Sequence, residues 1–364
     1  MACLTASADS RRCFVPHRDP AGWPWLKERL SGFRQATRPF AVRGAAPEAV
    51  PAAVVVRTAV VTDSAAALPS DWVRGLAVDG RLTVIPMPVM VGTDIYGEGE
   101  DDIADTIAVA LASGKPVKTS RPSPGQFEQA YRAAQRHGYE SVVSVHISGE
   151  LSGTADSARL AAARVDFPVE VVDSRTVGMA QGMGVQAAVA AAADGRTAAD
   201  VRDFTEQRLA RTKVYFYVPS LEQLRRGGRI GAAASLWGTM LSIKPILAVE
   251  DGKVVPLEKV RSAAKAIARL KEIVVADAAA RPEGQARLAV HHFGNPAEAE
   301  QLAAQLADAV PGCAPVQISA LPAVLAAHAG LGVLAVIVGE DSAPLPGDAG
   351  VGNAPAVPET PACP

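Results

Sequence analysis

The chain has 364 residues, with 36 Lys and Arg against 38 Asp and Glu and a formal net charge of −2. That balance leaves no domain-wide basic footprint, which argues against nucleic acid or an anionic membrane as the main partner. The length allows a large core and suggests two domains, while no apolar run reaches the ~18 residues of a membrane-spanning helix.

Residues 1–52 lack sustained periodicity and are rich in Arg, Pro and Ala. Such a composition does not offset the entropy cost of ordering, so we read a disordered or appended tail, with 25–33 as a local helix candidate. Ser10-Arg11-Arg12-Cys13-Phe14-Val15 resembles a twin-arginine export signal. The segment after it, PHRDPAGWPWLKERL, is charged and broken by proline where that signal needs an apolar run. Cys3, Cys13 and Cys363 lie near the ends and only Cys313 is interior. This spacing makes neither a disulfide frame nor a metal knuckle and fits a reducing, cytoplasmic location.

From residue 54 onward, short β-branched runs alternate with longer Ala-rich helical patterns. Strands are expected at 54–61, 83–91, 141–147 and 169–172, and helices at 102–112, 125–136, 154–165, 177–193 and 198–211. Ser123-Pro124-Gly125-Gln126 supplies a cap hydroxyl, a first-turn proline and a Gln at the capping-box position. Alternation of this kind predicts a largely parallel sheet with helices on both faces over residues 53–211. After Lys213 the pattern changes. Residues 243–249, an Asp251-Gly252 turn and 254–259 read as an antiparallel hairpin. Further strands are expected at 214–218, 287–292, 316–318 and 333–338, with helices at 263–279 and 296–309. We therefore place a second, mixed-sheet domain at 212–340, followed by a disordered Pro- and Ala-rich tail at 341–364.

In open α/β sheets, ligands sit beyond the carboxyl ends of strands, where helix N-termini offer unpaired N–H groups. Four segments have that form: Val61-Thr62-Asp63-Ser64, Lys118-Thr119-Ser120-Arg121-Pro122-Ser123, His146-Ile147-Ser148-Gly149-Glu150-Leu151-Ser152-Gly153-Thr154, and Asp173-Ser174-Arg175. Taken singly, Asp63, Ser64 and Ser174 are ordinary cap residues. Four hydroxyl-rich termini facing one sheet edge suit a single carboxylate or phosphate. Ser152 as a nucleophile is a weaker reading, because Gly149-x-x-Ser152-Gly153 departs from the Gly-x-Ser-x-Gly elbow. Leu224-Arg225-Arg226-Gly227-Gly228-Arg229 ends a short helix in glycines and presents Arg229 from a tight turn, as a capped terminus or an anion clamp. His328, in His328-Ala329-Gly330-Leu331-Gly332, is either structural or part of a site. His291 and His292 are adjacent on a strand and point to opposite faces, so no metal site is expected.

Together these segments resemble the DegV family of bacterial fatty-acid-binding proteins. The matching pieces are VTDSAAALP, KTSRPSPGQF, HISGELSGTADSA, VVDSRTVGMAQG, LEQLRRGGRIG, IKPIL with DGKVVPLEKVR, and HAGLG, in family order over residues 57–340. The resemblance implies a two-domain α/β fold, an N-terminal three-layer α/β/α domain with a mostly parallel sheet and a C-terminal α/β domain with a mixed sheet. It implies one long-chain fatty acid as ligand in a buried tunnel between apolar walls, no cofactor, and a carboxylate held by Thr119 and Ser152. Ser120, Ser148, Gly149, Gly153 and His328 are expected nearby. It further implies a carrier that is not catalytic alone, the acyl-binding subunit of a two-component fatty acid kinase. Arg229 and His328 would assist phosphoryl transfer or docking of the ATP-binding partner. Three departures from the family pattern stand out: Ser148-Gly149 where two serines are usual, Arg121 where glutamine is frequent, and HAGLG where histidine-threonine-glycine-proline-glycine is commoner. The alternatives are a serine-dependent acyl hydrolase or transferase using Ser152, and a lipid-sensing regulatory module, for which the sequence has no DNA-binding element.

Overall fold

The structure, a computed structural model, describes residues 55–97, 103–236 and 243–340. Both expected tails and the helix candidate at 25–33 lie outside the described residues.

In chain order the first part comprises β1 (Thr58–Asp63), α1 (Ser70–Ala77), β2 (Leu82–Ile85), β3 (Pro88–Val91), β4 (Asp94–Gly97) and α2 (Ala104–Ala112). Then come β5 (Val117–Thr119), α3 (Pro124–Arg136), β6 (Ser141–His146), α4 (Thr154–Ala162), β7 (Val169–Asp173), α5 (Met179–Ala193) and α6 (Ala198–Leu209). The second part comprises β8 (Lys213–Tyr217), α7 (Glu222–Arg226), β9 (Lys244–Glu250), β10 (Lys253–Val260) and α8 (Ala263–Ala279). It ends with β11 (Ala286–His292), α9 (Pro296–Ala309), β12 (Gln317–Ala320), α10 (Ala323–Ala329) and β13 (Leu334–Glu340).

Strands β2-β1-β6-β7 form a parallel sheet. Val61 and Val142 face a core with Phe127 and Tyr131 of α3 and Ala158 and Ala161 of α4. Val60 and Val143 face the opposite core, with Val185 and Ala188 of α5 and Val201 of α6. Alternate residues of the same strands thus bury on opposite faces, as a sheet covered by helices on both sides requires. The capping box at α3 is formed: Ser123 Oγ accepts from Gln126 N, and Gln126 Oε1 accepts from Ser123 N at 2.9 Å.

Strands β10-β9-β8-β13-β11-β12 form a mixed six-stranded sheet, antiparallel except for the β11–β12 pair. Asp251 and Gly252 join β9 to β10 with φ of 49° and 82°, the left-handed pair that a tight hairpin turn requires. Tyr217, Leu334, Val336 and Val338 pack with α8 and α9, whereas Val214, Phe216, Ala335 and Ile337 face a second core. That second core also takes in Met87, Val89, Ile147 and Val324, so it lies between the six-stranded sheet and the elements of the first part. Strands β1–β7 belong to the parallel and three-stranded sheets and β8–β13 to the six-stranded one. The boundary we propose at 211/212 falls between them.

One expected strand is corrected. Residues 83–91 are not a single strand but β2 and β3, which belong to different sheets; β3 sits between β4 and β5 in a small antiparallel sheet. Pro86 and Pro88 flank the break, and neither has an N–H to continue a ladder. Residues 118–119, outside the strands expected from the sequence, belong to β5, where Thr119 is paired with Val89.

Candidate functional site

A cavity of about 470 Å³ opens where the small sheet, the β6–α4 turn, α7 and α10 meet the inner face of the six-stranded sheet. Its size lies within the ~300–1,000 Å³ typical of small-molecule sites. The walls are apolar, with Met87, Ile147, Val214, Phe216, Val249, Val254, Leu321 and Val324 among them. The mouth is polar, formed by Thr119, Ser120, Arg121, Ser123, Ser152, Gly153, Arg229 and His328. No acidic side chain is among the described lining residues.

Each polar group is set by local structure. Thr119 ends β5, and its Oγ1 lies 2.8 Å from His328 Nε2 near the end of α10. His328 Nδ1 is buried without a hydrogen-bond partner among the described residues. Burial, and secondarily the charge of Arg229, push the His328 imidazole down to about 4, so it is neutral near pH 7. If Thr119 gives its single hydroxyl proton to an anion, His328 Nε2–H must be the donor to Thr119 Oγ1. Ser152 Oγ lies 2.8 Å from Thr154 Oγ1 in the first turn of α4.

Gly228, at φ 71°, ends α7 in the left-handed conformation, and Arg229 N bonds back to Leu224 O at 2.9 Å. The Arg229 side chain then turns inward: Nε donates to Leu151 O at 2.9 Å and Nη1 to Gly227 O at 2.6 Å. Arg229 thus grips the backbone beside Ser152 and leaves its positive charge without a described carboxylate partner. Gly227 is required for a different reason, since a Cβ there would collide with the His328 ring.

Two of the four expected segments do not reach this mouth. Asp63 is fully buried inside the parallel-sheet domain. It accepts from Ala65 N (3.1 Å), Ile147 N (3.0 Å), His146 Nδ1 (3.0 Å) and Gln181 Nε2 (3.2 Å). Asp173, Ser174 and Arg175 line a separate polar cleft with Glu206, Lys213 and Asp251. The expectation for Ser148 and Gly149 is also corrected: neither lines the cavity. Ser148 Oγ donates to Gly252 O at 2.8 Å, tying the β6–α4 turn to the β9–β10 hairpin. Gly149 N donates to Asp173 Oδ1 at 3.0 Å, and a Cβ there would lie 2.6 Å from Asp173 Oδ2. The turn faces two ways, with Ser152 and Gly153 toward the cavity, Ser148 toward the hairpin and Gly149 toward Asp173 at the end of β7.

Sequence reasoning missed α10, which carries His328, although Pro322 ahead of an Ala-rich stretch is a legible start signal. It expected apolar walls without naming their residues, whose signal is the period-2 burial along β8 and β13.

Residues 57–341 match the family model described as "Uncharacterised protein, DegV family". The chain belongs to the DegV family. A DegV domain-containing protein of Streptomyces coelicolor is 44% identical over 280 residues, covering 77% of this chain and 97% of the relative. One from Mycobacterium tuberculosis is 37% identical over 287 residues, covering 78% and 98%. Among solved structures, a Thermus thermophilus DegV family protein described by its fatty acid binding superposes with a TM-score of 0.72 at 32% identity, covering 78% of this chain and 99% of that one. DegV of Bacillus subtilis, described as a fatty acid binding protein, superposes with a TM-score of 0.70 at 29% identity, covering 79% and 100%. The parallel-sheet and mixed-sheet architecture is therefore that of DegV proteins. No described helix is long and apolar enough to cross a membrane.

Proposed function

We propose that this chain binds one long-chain fatty acid, with the acyl chain against the apolar walls and the carboxylate at the mouth. Thr119 and Ser152 are the proposed donors to that carboxylate, with Ser120, Gly153 and His328 around it. The observation that carries this reading is the single cavity gradient from apolar wall to a mouth of hydroxyls and guanidinium groups without a described acid. A buried carboxylate is costly unless charge-assisted hydrogen bonds compensate, and such bonds are what this mouth offers. The fatty acid binding described for the Thermus and Bacillus proteins supports the same ligand class.

In this reading the chain is a carrier with no chemistry of its own. It presents the carboxylate to an ATP-dependent kinase partner that forms acyl phosphate, and Arg229 and His328 assist transfer or docking. A covalent hydrolase would need a base on Ser152. The neighbour of Ser152 Oγ is Thr154 Oγ1, and His328 Nε2 is engaged with Thr119.

Native mass spectrometry of the chain after bacterial expression tests the ligand. A co-purifying long-chain fatty acid is expected; an acyl adduct on Ser152 would support the hydrolase instead. Arg229→Ala is expected to retain lipid and to lose transfer with the kinase. Loss of lipid with normal transfer would overturn that division of roles.

A further inference from the structure

The β6–α4 turn at the cavity mouth is bracketed by two guanidinium groups. Arg229 bonds Leu151 O on one side of Ser152. On the other side Arg121 lies over Gly153, where a Cβ would come within 2.5 Å of Arg121 Nη1 and 3.2 Å of its Cδ. With glycine there, the exposed arginine side chain lies directly against the turn. Neither guanidinium is ion-paired among the described residues, and no described acid lines the cavity. The mouth therefore presents two positive charges where a carboxylate supplies one negative charge.

A terminal phosphoryl group fits that surplus. It carries a charge of roughly −1.5 to −2 at pH 7 and three acceptor oxygens, and it suits the planar donor fork of arginine. The hydroxyls of Thr119 and Ser152 supply further donors. We propose that Arg121 is a specificity-determining residue, which with Arg229 makes the cavity prefer a single-chain lipid ending in a phosphoryl dianion over the fatty acid of the same length. The inference rests on reading the cavity as a lipid site. It adds a head-group preference carried by a residue outside the carboxylate clamp.

The charge difference also sets a pH dependence. The second phosphate proton leaves near pH 6, whereas a carboxylate is already ionised there. Arg229 shares the cavity lining with Arg121, and along the same segments Lys118 of β5 precedes Arg121 and Glu150 precedes Gly153 in the turn. Glu150 lies 3.5 Å from Lys253. His328 is the titratable neighbour on α10, and burial keeps it neutral above about 4. The preference should therefore rise through about pH 6 because the ligand gains charge.

The test is competition between palmitate and hexadecyl phosphate for the delipidated chain, from about pH 5 to about pH 8, with 1-palmitoyl lysophosphatidate as a third ligand. Wild-type protein is expected to favour hexadecyl phosphate about tenfold at the upper end, the size of one charge-assisted hydrogen bond. Arg121→Gln should erase most of that preference and its rise with pH, while palmitate binding falls much less. Lysophosphatidate binding with the same Arg121 dependence would extend the preference to phosphoglycerides; its exclusion would restrict the head to phosphoryl directly on the chain. Palmitate bound more tightly than hexadecyl phosphate, or equal losses of both in Arg121→Gln, overturns the inference and leaves fatty acid binding standing. Binding of neither single-chain lipid overturns both.

Discussion

Two polar clusters in this chain use similar groups and end in opposite states. Inside the parallel-sheet domain, Tyr131 OH lies 2.9 Å from Ser144 Oγ, and Ser144 Oγ lies 2.6 Å from His146 Nε2. His146 Nδ1 then donates to Asp63, which also accepts two backbone N–H bonds. Burial pushes the Tyr131 phenol well above its ordinary range, so it stays protonated and can be the first donor of the chain. The order of serine, histidine and aspartate imitates a hydrolase triad, but all three are completely buried. At the cavity mouth, by contrast, His328 Nδ1 has no described partner, Ser152 has only another hydroxyl, and Arg229 bonds two carbonyls while its charge faces no described carboxylate. A buried carboxylate surrounded by donors holds the fold; a mouth with positive charge and no described acid can hold an anion.

Substitutions that treat the two clusters alike should therefore give opposite readouts. The largest effect is expected for Asp63→Ala, which strands three donors in the core, Ala65 N, Ile147 N and His146 Nδ1, while Gln181 Nε2 keeps Thr62 Oγ1 and Val145 O. At ~1–3 kcal/mol for each unsatisfied group, a loss of at least about 3 kcal/mol is expected in urea unfolding. A loss below about 1 kcal/mol would mean that water or a rearranged neighbour replaces the carboxylate.

Acid should act through the buried histidines. His291 Nε2 accepts from Met179 N at 3.0 Å, and burial pushes its imidazole down to about 4 from an ordinary 6.5. The folded pKa is depressed, so the unfolded chain takes up the proton first. The stabilisation is complete above about 6.5 and is lost as pH falls toward about 4. For a fully buried histidine this is on the order of 3 kcal/mol. His328 acts in the same direction. Unfolding midpoints measured across that window should fall, and the fall should be shallower in His291→Gln. An unchanged slope in the variant would assign the acid sensitivity elsewhere.

The smallest and most discriminating contrast is within one turn. Ser152→Ala should weaken fatty acid binding about tenfold, the value of a hydrogen bond to a charged acceptor, with stability nearly unchanged. Ser148→Ala should instead cost about 1 kcal/mol of stability and leave lipid affinity nearly intact. Calorimetric titration together with thermal unfolding of both variants separates the two roles. Matching losses of affinity would show that the turn acts as a unit.

Much of the fold was legible locally. The capping box at Ser123, the left-handed turn at Asp251-Gly252 and the alternation of β-branched and Ala-rich segments each depend on neighbours a few residues away. The merged strand at 83–91 failed because apolar content continues across Pro86 and Pro88, while the chain leaves one sheet for another. The site was legible as a set of residues and not as a geometry. Thr119 and His328 are 209 positions apart, and only packing of α10 against the small sheet brings them within 2.8 Å.

By itself, then, the sequence determined the residue types: hydroxyls at strand ends, glycines that permit close approach, an arginine on a tight turn and apolar stretches at strand spacing. Tertiary structure decided which of them share a cavity. Ser148 and Ser152 look alike along the chain, yet the turn carrying them is clamped between a hairpin and a cavity, so one side chain points each way. Asp63 reads as an ordinary cap and does cap the turn after β1, but it is also buried, because β1 lies in the interior of its sheet between β2 and β6. The direction of a side chain depends on what packs against its element, and those partners lie far away in sequence.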